Sequence, residues 1–126
     1  MLRDIDATAV LAVKDIAAAR GFYEGTLGLE APDDAGQDGT VAYTGGTTPI
    51  FLYESEFAGT NQANALAWSV GDDFDAILDD LRGRGVTFEH YDLPGLTLEG
   101  DVHVAQNFRA VWFKDPDGNI LHVNGR

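Results

Sequence analysis

The feature that most constrains this chain is a plan that occurs twice. Residues 9–13 (Ala-Val-Leu-Ala-Val) are a short β-prone apolar run that ends just before Asp15. Asp15 is placed to cap a helix whose alanines favour it, and Ile16, Ala19 and Tyr23 share one face. Gly25 and Gly28 stop that helix. In the second half, residues 65–70 (Ala-Leu-Ala-Trp-Ser-Val) lead to Asp72 or Asp73 as cap. Phe74, Ile77, Leu78 and Leu81 then supply a helical stripe, ended by Gly83 and Gly85. A shift of 57 residues lays Val13 on Val70, Asp15 on Asp72, Gly28 on Gly85 and Leu29 on Val86.

After each helix the chain turns β-rich. Strands are expected near 29–31, 40–44 and 49–54 in the first half, and near 86–91, 109–114 and 119–124 in the second. Gly45-Gly46 reads as a turn, and Asp115-Pro116-Asp117-Gly118-Asn119 as the turn joining the last two strands. There Pro sets φ, Gly accepts positive φ, and Asp and Asn bond locally. The expected fold is α+β: two βαβββ modules, about 1–58 and 59–126, whose mixed sheets curl around a cleft within one domain. Residues 54–64 would connect the modules. Residues 92–108 read as a long connection without regular structure, of the length typical of lids and binding loops. Its Leu93, Leu96, Leu98, Val102 and Phe108 are too many apolar side chains for a free loop, so it is expected to cover something.

Composition removes several classes of function. With no Cys there are no disulfides, thiolate nucleophiles or Cys-held metals. Twenty-one acidic against eight basic residues leave a net charge of −13, a field that repels phosphate backbones and anionic lipid. Neither nucleic acid nor a membrane surface is therefore an expected partner. A cationic ligand would be favoured, although such charge also serves solubility alone. The N-terminus lacks the pattern of a signal peptide, no apolar run approaches a membrane span, and a cytoplasmic location is expected. There is no G-x-G-x-x-G, P-loop or nucleophile-elbow motif.

Val13-Lys14-Asp15 leading into Gly21-Phe22-Tyr23 and Leu27-Gly28-Leu29, on this repeated plan, resembles the vicinal oxygen chelate superfamily. Trp112-Phe113-Lys114-Asp115-Pro116-Asp117-Gly118-Asn119 matches its C-terminal signature, and the resemblance covers nearly the whole chain. That superfamily includes glyoxalase I, extradiol dioxygenases, fosfomycin-modifying enzymes and bleomycin-resistance proteins. Its enzymes hold a divalent metal with His, Gln or Glu from the first and fourth strand of each module. Counted onto this sequence, those positions fall on Thr8, Phe51 (or Tyr53, one pleat along), Ala65 and His122. Only His122 ligates strongly, so no metal and no other cofactor is expected.

Period-two alternation sorts the remaining strand residues. Leu11, Val13, Leu66, Trp68, Val70, Val111 and Phe113 fall toward the helices. Thr8, Val10, Ala12, Phe51, Tyr53, Ala65, Ala67, Ser69, Ala110, Trp112, Ile120, His122 and Asn124 fall on the other face, with Tyr43, Tyr91 and Phe108 as candidate extensions. An aromatic surface with sparse polar anchors is the expected look of an organic-ligand site. In it Trp112, Phe51 and Tyr53 would stack on a ligand while His122, Thr8 and Ser69 orient it. His90 and His103 read as solvated.

Three readings stand at this stage. The first is a metal-free, non-catalytic binder of a small aromatic compound, analogous to the bleomycin-resistance proteins, which sequester a toxic natural product at a homodimer. The second is a metal-dependent lyase, isomerase or dioxygenase of the glyoxalase type. In the third, a structural domain, the aromatics simply fill the cleft.

Overall fold

In the computed structural model, which describes residues 1–31 and 39–126, strand β1 (Ala9–Val13) runs into the helix expected after it. The Asp15 carboxylate accepts from Ala17 N at 2.9 Å, the capping bond that this residue type favours. A second carboxylate, Glu54, accepts from Ile16 N at 3.1 Å, so another of the helix's first amides is satisfied from a neighbouring strand. Helix α1 (Ile16–Arg20) continues as a π-helical stretch, Gly21–Thr26. Gly28 closes it at φ +76°, with Leu29 N donating to Tyr23 O at 2.9 Å. That bond engages the Leu29 amide at the helix end, and no strand forms at 29–31 as the sequence had suggested.

Strands β2 (Thr40–Gly45) and β3 (Thr48–Glu54) meet at the expected glycine turn, where Gly46 has φ +60°. The order is β1-β3-β2, parallel between β1 and β3 and antiparallel between β2 and β3. Alternate residues Leu11, Val13, Val41, Tyr43, Ile50 and Leu52 are buried, as are Ile16, Ala19 and Tyr23 of the helical segment. They are the core of one compact unit, Met1–Thr60.

The second unit, Asn61–Arg126, begins with β4 (Asn64–Ser69) and a 3-10 turn at Gly71–Asp73. Helix α2 (Phe74–Gly83) follows. Asp73 occupies the cap position, but its side chain makes no capping bond, and Asp72 lies within the turn. The capping expected from these two acids is therefore absent, because the tight turn already leads the backbone into the helix. Gly85, at φ +86°, ends α2 as Gly28 ends the first helix.

The strand expected at 86–91 is only the two-residue β5 (Phe88–Glu89). Residues 92–108 are not the irregular connection expected of them. They carry a hairpin of β6 (Thr97–Glu99) and β7 (Val102–Ala105), closed by Gly100-Asp101 with Gly100 at φ +63°. A glycine first in a two-residue loop matches the right-handed twist of paired strands. Strands β8 (Phe108–Lys114) and β9 (Ile120–Gly125) complete a mixed sheet of order β4-β9-β8-β7-β6, with β5 on β8.

The turn between β8 and β9 forms as expected. Asp115 Oδ1 accepts from Asp117 N at 2.9 Å and Asn119 N at 2.8 Å. One sheet face carries the buried Val111, Phe113, Leu121 and Val123, and Phe74, Leu78, Leu81 and Phe88 complete that core. Burying each such side chain contributes about 1.5–3 kcal/mol. Leu66, Trp68 and Val70 are only half-buried, because β4 is the sheet's edge. Both units are thus α+β, each a βαβββ-like module built on a mixed sheet. Among the described residues no helix is long and apolar enough to cross a membrane.

Candidate ligand-binding site

The opposite face of the second unit's sheet gathers its aromatic and imidazole side chains around Trp112. Trp112 and His122 are cross-strand partners on β8 and β9, their rings 4.4 Å apart. His103 on β7 pairs with Ala110 and meets Trp112 edge-on at 4.8 Å. Tyr91, two residues beyond the Glu89 that pairs with Trp112, reaches Trp112 at 5.7 Å and His103 at 6.1 Å. A register shift between Asn64 and Leu66 sets Asn64 beside Ile120, where its Oδ1 accepts from Trp112 Nε1 at 3.0 Å. Leu93 and Leu96, from the segment before the hairpin, pack with Tyr91 on the cluster of Ala110, Trp112 and Ile120. Of the apolar residues of 92–108, Leu93 and Leu96 thus cover part of this face, while Leu98 and Phe108 stay exposed.

The electrostatics of the cluster follow from its burial. His122, 7% exposed, is held below the ordinary histidine value of 6.5 chiefly by desolvation. A backbone interaction with Val111 pulls the other way, and His103 adds to the lowering. Asn124 Nδ2 donates to His122 Nε2 at 3.0 Å, which leaves the proton of a neutral ring on Nδ1. Burial, with Glu89 nearby, likewise pushes the Tyr91 hydroxyl up. Beside the cluster lies a groove of about 390 Å³ lined by His90, Tyr91, Asp92, Leu96 and Leu98. Tyr91 therefore belongs to both the groove wall and the ring cluster.

The model of the Glyoxalase/Bleomycin resistance protein/Dioxygenase superfamily matches residues 5–123. The chain belongs to this superfamily. No curated protein matches it. Among solved structures it is similar to a glyoxalase/bleomycin resistance protein/dioxygenase from Alicyclobacillus acidocaldarius, with TM-score 0.71, 17% identity, and 95% of this chain and 89% of that one covered. It is also similar to the fosfomycin resistance protein FosX from Listeria monocytogenes, with TM-score 0.68, 14% identity and coverage of 95% and 91%. An integron cassette protein from the mobile metagenome of V. cholerae gives TM-score 0.60, 23% identity and coverage of 96% and 95%. At such identities the likeness is one of fold.

The positions that would hold a metal in this superfamily do not fit one here. Thr8 is an exposed hydroxyl, Phe51 and Ala65 have no ligating atom, and His122 already uses Nε2 toward Asn124. Among the described residues no group of three or more His, Cys, Asp or Glu is placed to hold a metal ion.

The sequence-derived residues divide between the two units of this superfamily member. Ser69, Tyr91, Phe108, Trp112 and His122 lie on one face of the second sheet. Phe108 is partly exposed beside the turn where Asn107 takes φ 57°. Thr8, Phe51 and Tyr53 belong to the first unit. There the Phe51 and Tyr53 rings stack at 6.5 Å on the face that also bears Val10, with Tyr53 39% and Val10 57% exposed. Tyr43 lies on the opposite, buried face, paired with Ile50 and stacked on Tyr23 at 6.3 Å. Its hydroxyl donates to Glu24 at 2.8 Å, and burial pushes its pKa up.

His103 corrects the sequence reading, which left it solvated: it is 1% exposed. It lies in a segment whose sequence reads as an irregular connection, and only the pairing of β7 with β8, which sets it opposite Ala110, brings it under Tyr91. His90 is half-exposed and bonded to Asp101 at 2.8 Å rather than merely solvated. Asn64 carried no sequence signal, since its role depends on the register shift in β4.

Proposed function

We propose that this superfamily member binds a small, flat aromatic compound without a metal, and holds it rather than transforming it. Sequestration of a toxic natural product or antibiotic is the corresponding biological role. The observation that carries this reading is the Trp112 cluster, which borders through Tyr91 a groove that Leu96 and Leu98 wall together with His90 and Asp92. Each ring stacked on a ligand adds about 0.5–1.5 kcal/mol beyond burial. Phe51 and Tyr53 offer a surface of the same chemistry on the first unit. The superfamily's resistance proteins, among them the FosX structure, support a role in resistance. A lyase, isomerase or dioxygenase of the glyoxalase type would need ligands that Thr8, Phe51 and Ala65 do not supply.

The test is a thermal-shift and calorimetric screen of aromatic natural products, with mass spectrometry of each compound after incubation. Saturable binding, unchanged compound mass and weaker binding by Trp112→Ala are expected. The reading is overturned if no compound binds. It is equally overturned if protein purified without chelator carries near-stoichiometric Zn, Ni, Mn or Fe and turns a compound over.

A further inference from the structure

A compound that stacks on Trp112 has to reach an indole that is only 9% exposed. Tyr91, Leu93 and Leu96, half-buried side chains of the chain between β5 and β6, pack against its cluster. Strand β6 continues from this cover. Its three residues are exposed and pair with β7 at the end of the sheet. Leu96 and Leu98 line the groove together with His90, Tyr91 and Asp92. An edge strand with so little buried apolar surface opens locally at far lower cost than the whole domain unfolds.

Asp101 ties the turn of this hairpin down. Its Oδ1 accepts from His90 Nε2 at 2.8 Å, and its Oδ2 accepts from Arg82 Nη2 at 3.1 Å. A carboxylate only accepts, so His90 Nε2 carries the proton. The partners come from two other places in the unit, the segment after β5 and the last turn of α2. The Arg82 guanidinium also lies 5.9 Å over the Phe88 ring. The two bonds, that of His90 foremost, hold the Asp101 carboxyl below the ordinary carboxylate range. Two positions on, His103 Nε2 lies 3.0 Å from the Tyr91 amide and 3.1 Å from the Tyr91 carbonyl. His103 thus anchors the inner strand β7 and Asp101 anchors the turn, to the consecutive residues 91 and 90. Partly exposed ion pairs add little to global stability. They matter where the opening that they oppose is itself cheap, as it is for β6.

We propose that Asp101 is a latch: its bonds to His90 and Arg82 hold the β6–β7 turn down beside the groove, and their release lets β6, Leu93 and Leu96 lift and admit a compound to Trp112. The latch describes how the site of the proposed function is reached, and it rests on that reading only for what enters.

The test uses the full chain without ligand. Hydrogen exchange followed by mass spectrometry reads the opening of residues 93–99, with β8 and β9 as internal reference. Acrylamide, a small neutral quencher, reads access to Trp112 in a Trp68→Phe background that removes the other tryptophan. Arg82→Ala and His90→Ala decide the matter, because both residues lie outside the hairpin and reach its turn through Asp101. Their side chains are 44% and 50% exposed, so their removal leaves the core intact. Each variant should speed exchange of 93–99 about fivefold and raise quenching of Trp112 about twofold, with β8 and β9 unchanged. Arg82→Lys and His90→Gln, which keep a donor, should restore wild-type values, as loss of packing alone would not allow. Should Trp68→Phe not fold, exchange in the wild-type background is sufficient. Unchanged exchange in both alanine variants overturns the latch. Acceleration that spreads equally to β8 and β9 overturns it too, since that is global destabilisation. Either result leaves aromatic binding intact, whereas a compound screen without a binder overturns aromatic binding and leaves the measured latch standing.

Discussion

Trp112 concentrates more of the second unit's interactions than any one strand position would suggest. It touches three rings and donates to Asn64 while remaining 9% exposed. Trp112→Ala should cost about 3–5 kcal/mol of stability, measured by urea unfolding, from lost burial and the cavity left behind. His122 makes stability depend on pH with a definite sign. Its native pKa lies below the ordinary 6.5, so the unfolded chain takes up the proton first. This contribution is fully present above about pH 6.5 and declines as pH falls through the lowered native value. Urea midpoints measured across that range should fall with acid, and His122→Asn should remove this part of the slope. Gly125 faces a different constraint, because an added Cβ would lie 2.5 Å from Gly71 O and 2.9 Å from Phe74 Cβ. Gly125→Ala should therefore cost about 1–3 kcal/mol by overpacking, read as a lower melting temperature.

At the scale of elements, the two halves solve one problem in two ways. Both helices end at a glycine with positive φ, as the repeat implies, but they begin and wind differently. The first has a true side-chain cap at Asp15 and a π-helical extension, whereas the second enters through a 3-10 turn. Asp15→Ala should cost about 0.5–2 kcal/mol, while Asp73→Ala, which removes no capping bond, should cost clearly less. Paired chemical-denaturation curves of the two variants check the contrast. The hairpin β6–β7 was legible in principle, since Gly100-Asp101 between two short runs is a turn with a mechanism. Local pattern does not single it out, because β6 and β7 are only three and four residues long and β6 is exposed throughout. At 29–31 a β-prone run stays out of the sheet, because it follows a helix whose end engages the Leu29 amide.

For the whole molecule, the −13 charge sets a negative field that favours the approach of cations, and it also serves solubility. Raising ionic strength should weaken binding of a cationic aromatic probe and leave a neutral one nearly unchanged, as calorimetry in low and high salt would show. The sequence alone determined which segments become helices and most strands, because period-two and three-to-four spacing are local properties read from neighbouring residues. It also shows that the side chains of Phe51 and Ala65 carry no ligating atom and that of Thr8 only a poor one, since side-chain chemistry does not depend on the fold. What only the tertiary structure decided is which residues meet. Tyr43 turns into a core, His103 lies under Tyr91, and Asn64 reaches Trp112 across 48 positions of sequence. Those outcomes depend on strand register, one bulge and a folded-back hairpin. Such pairings are set by the packing of distant segments, and no local pattern encodes them.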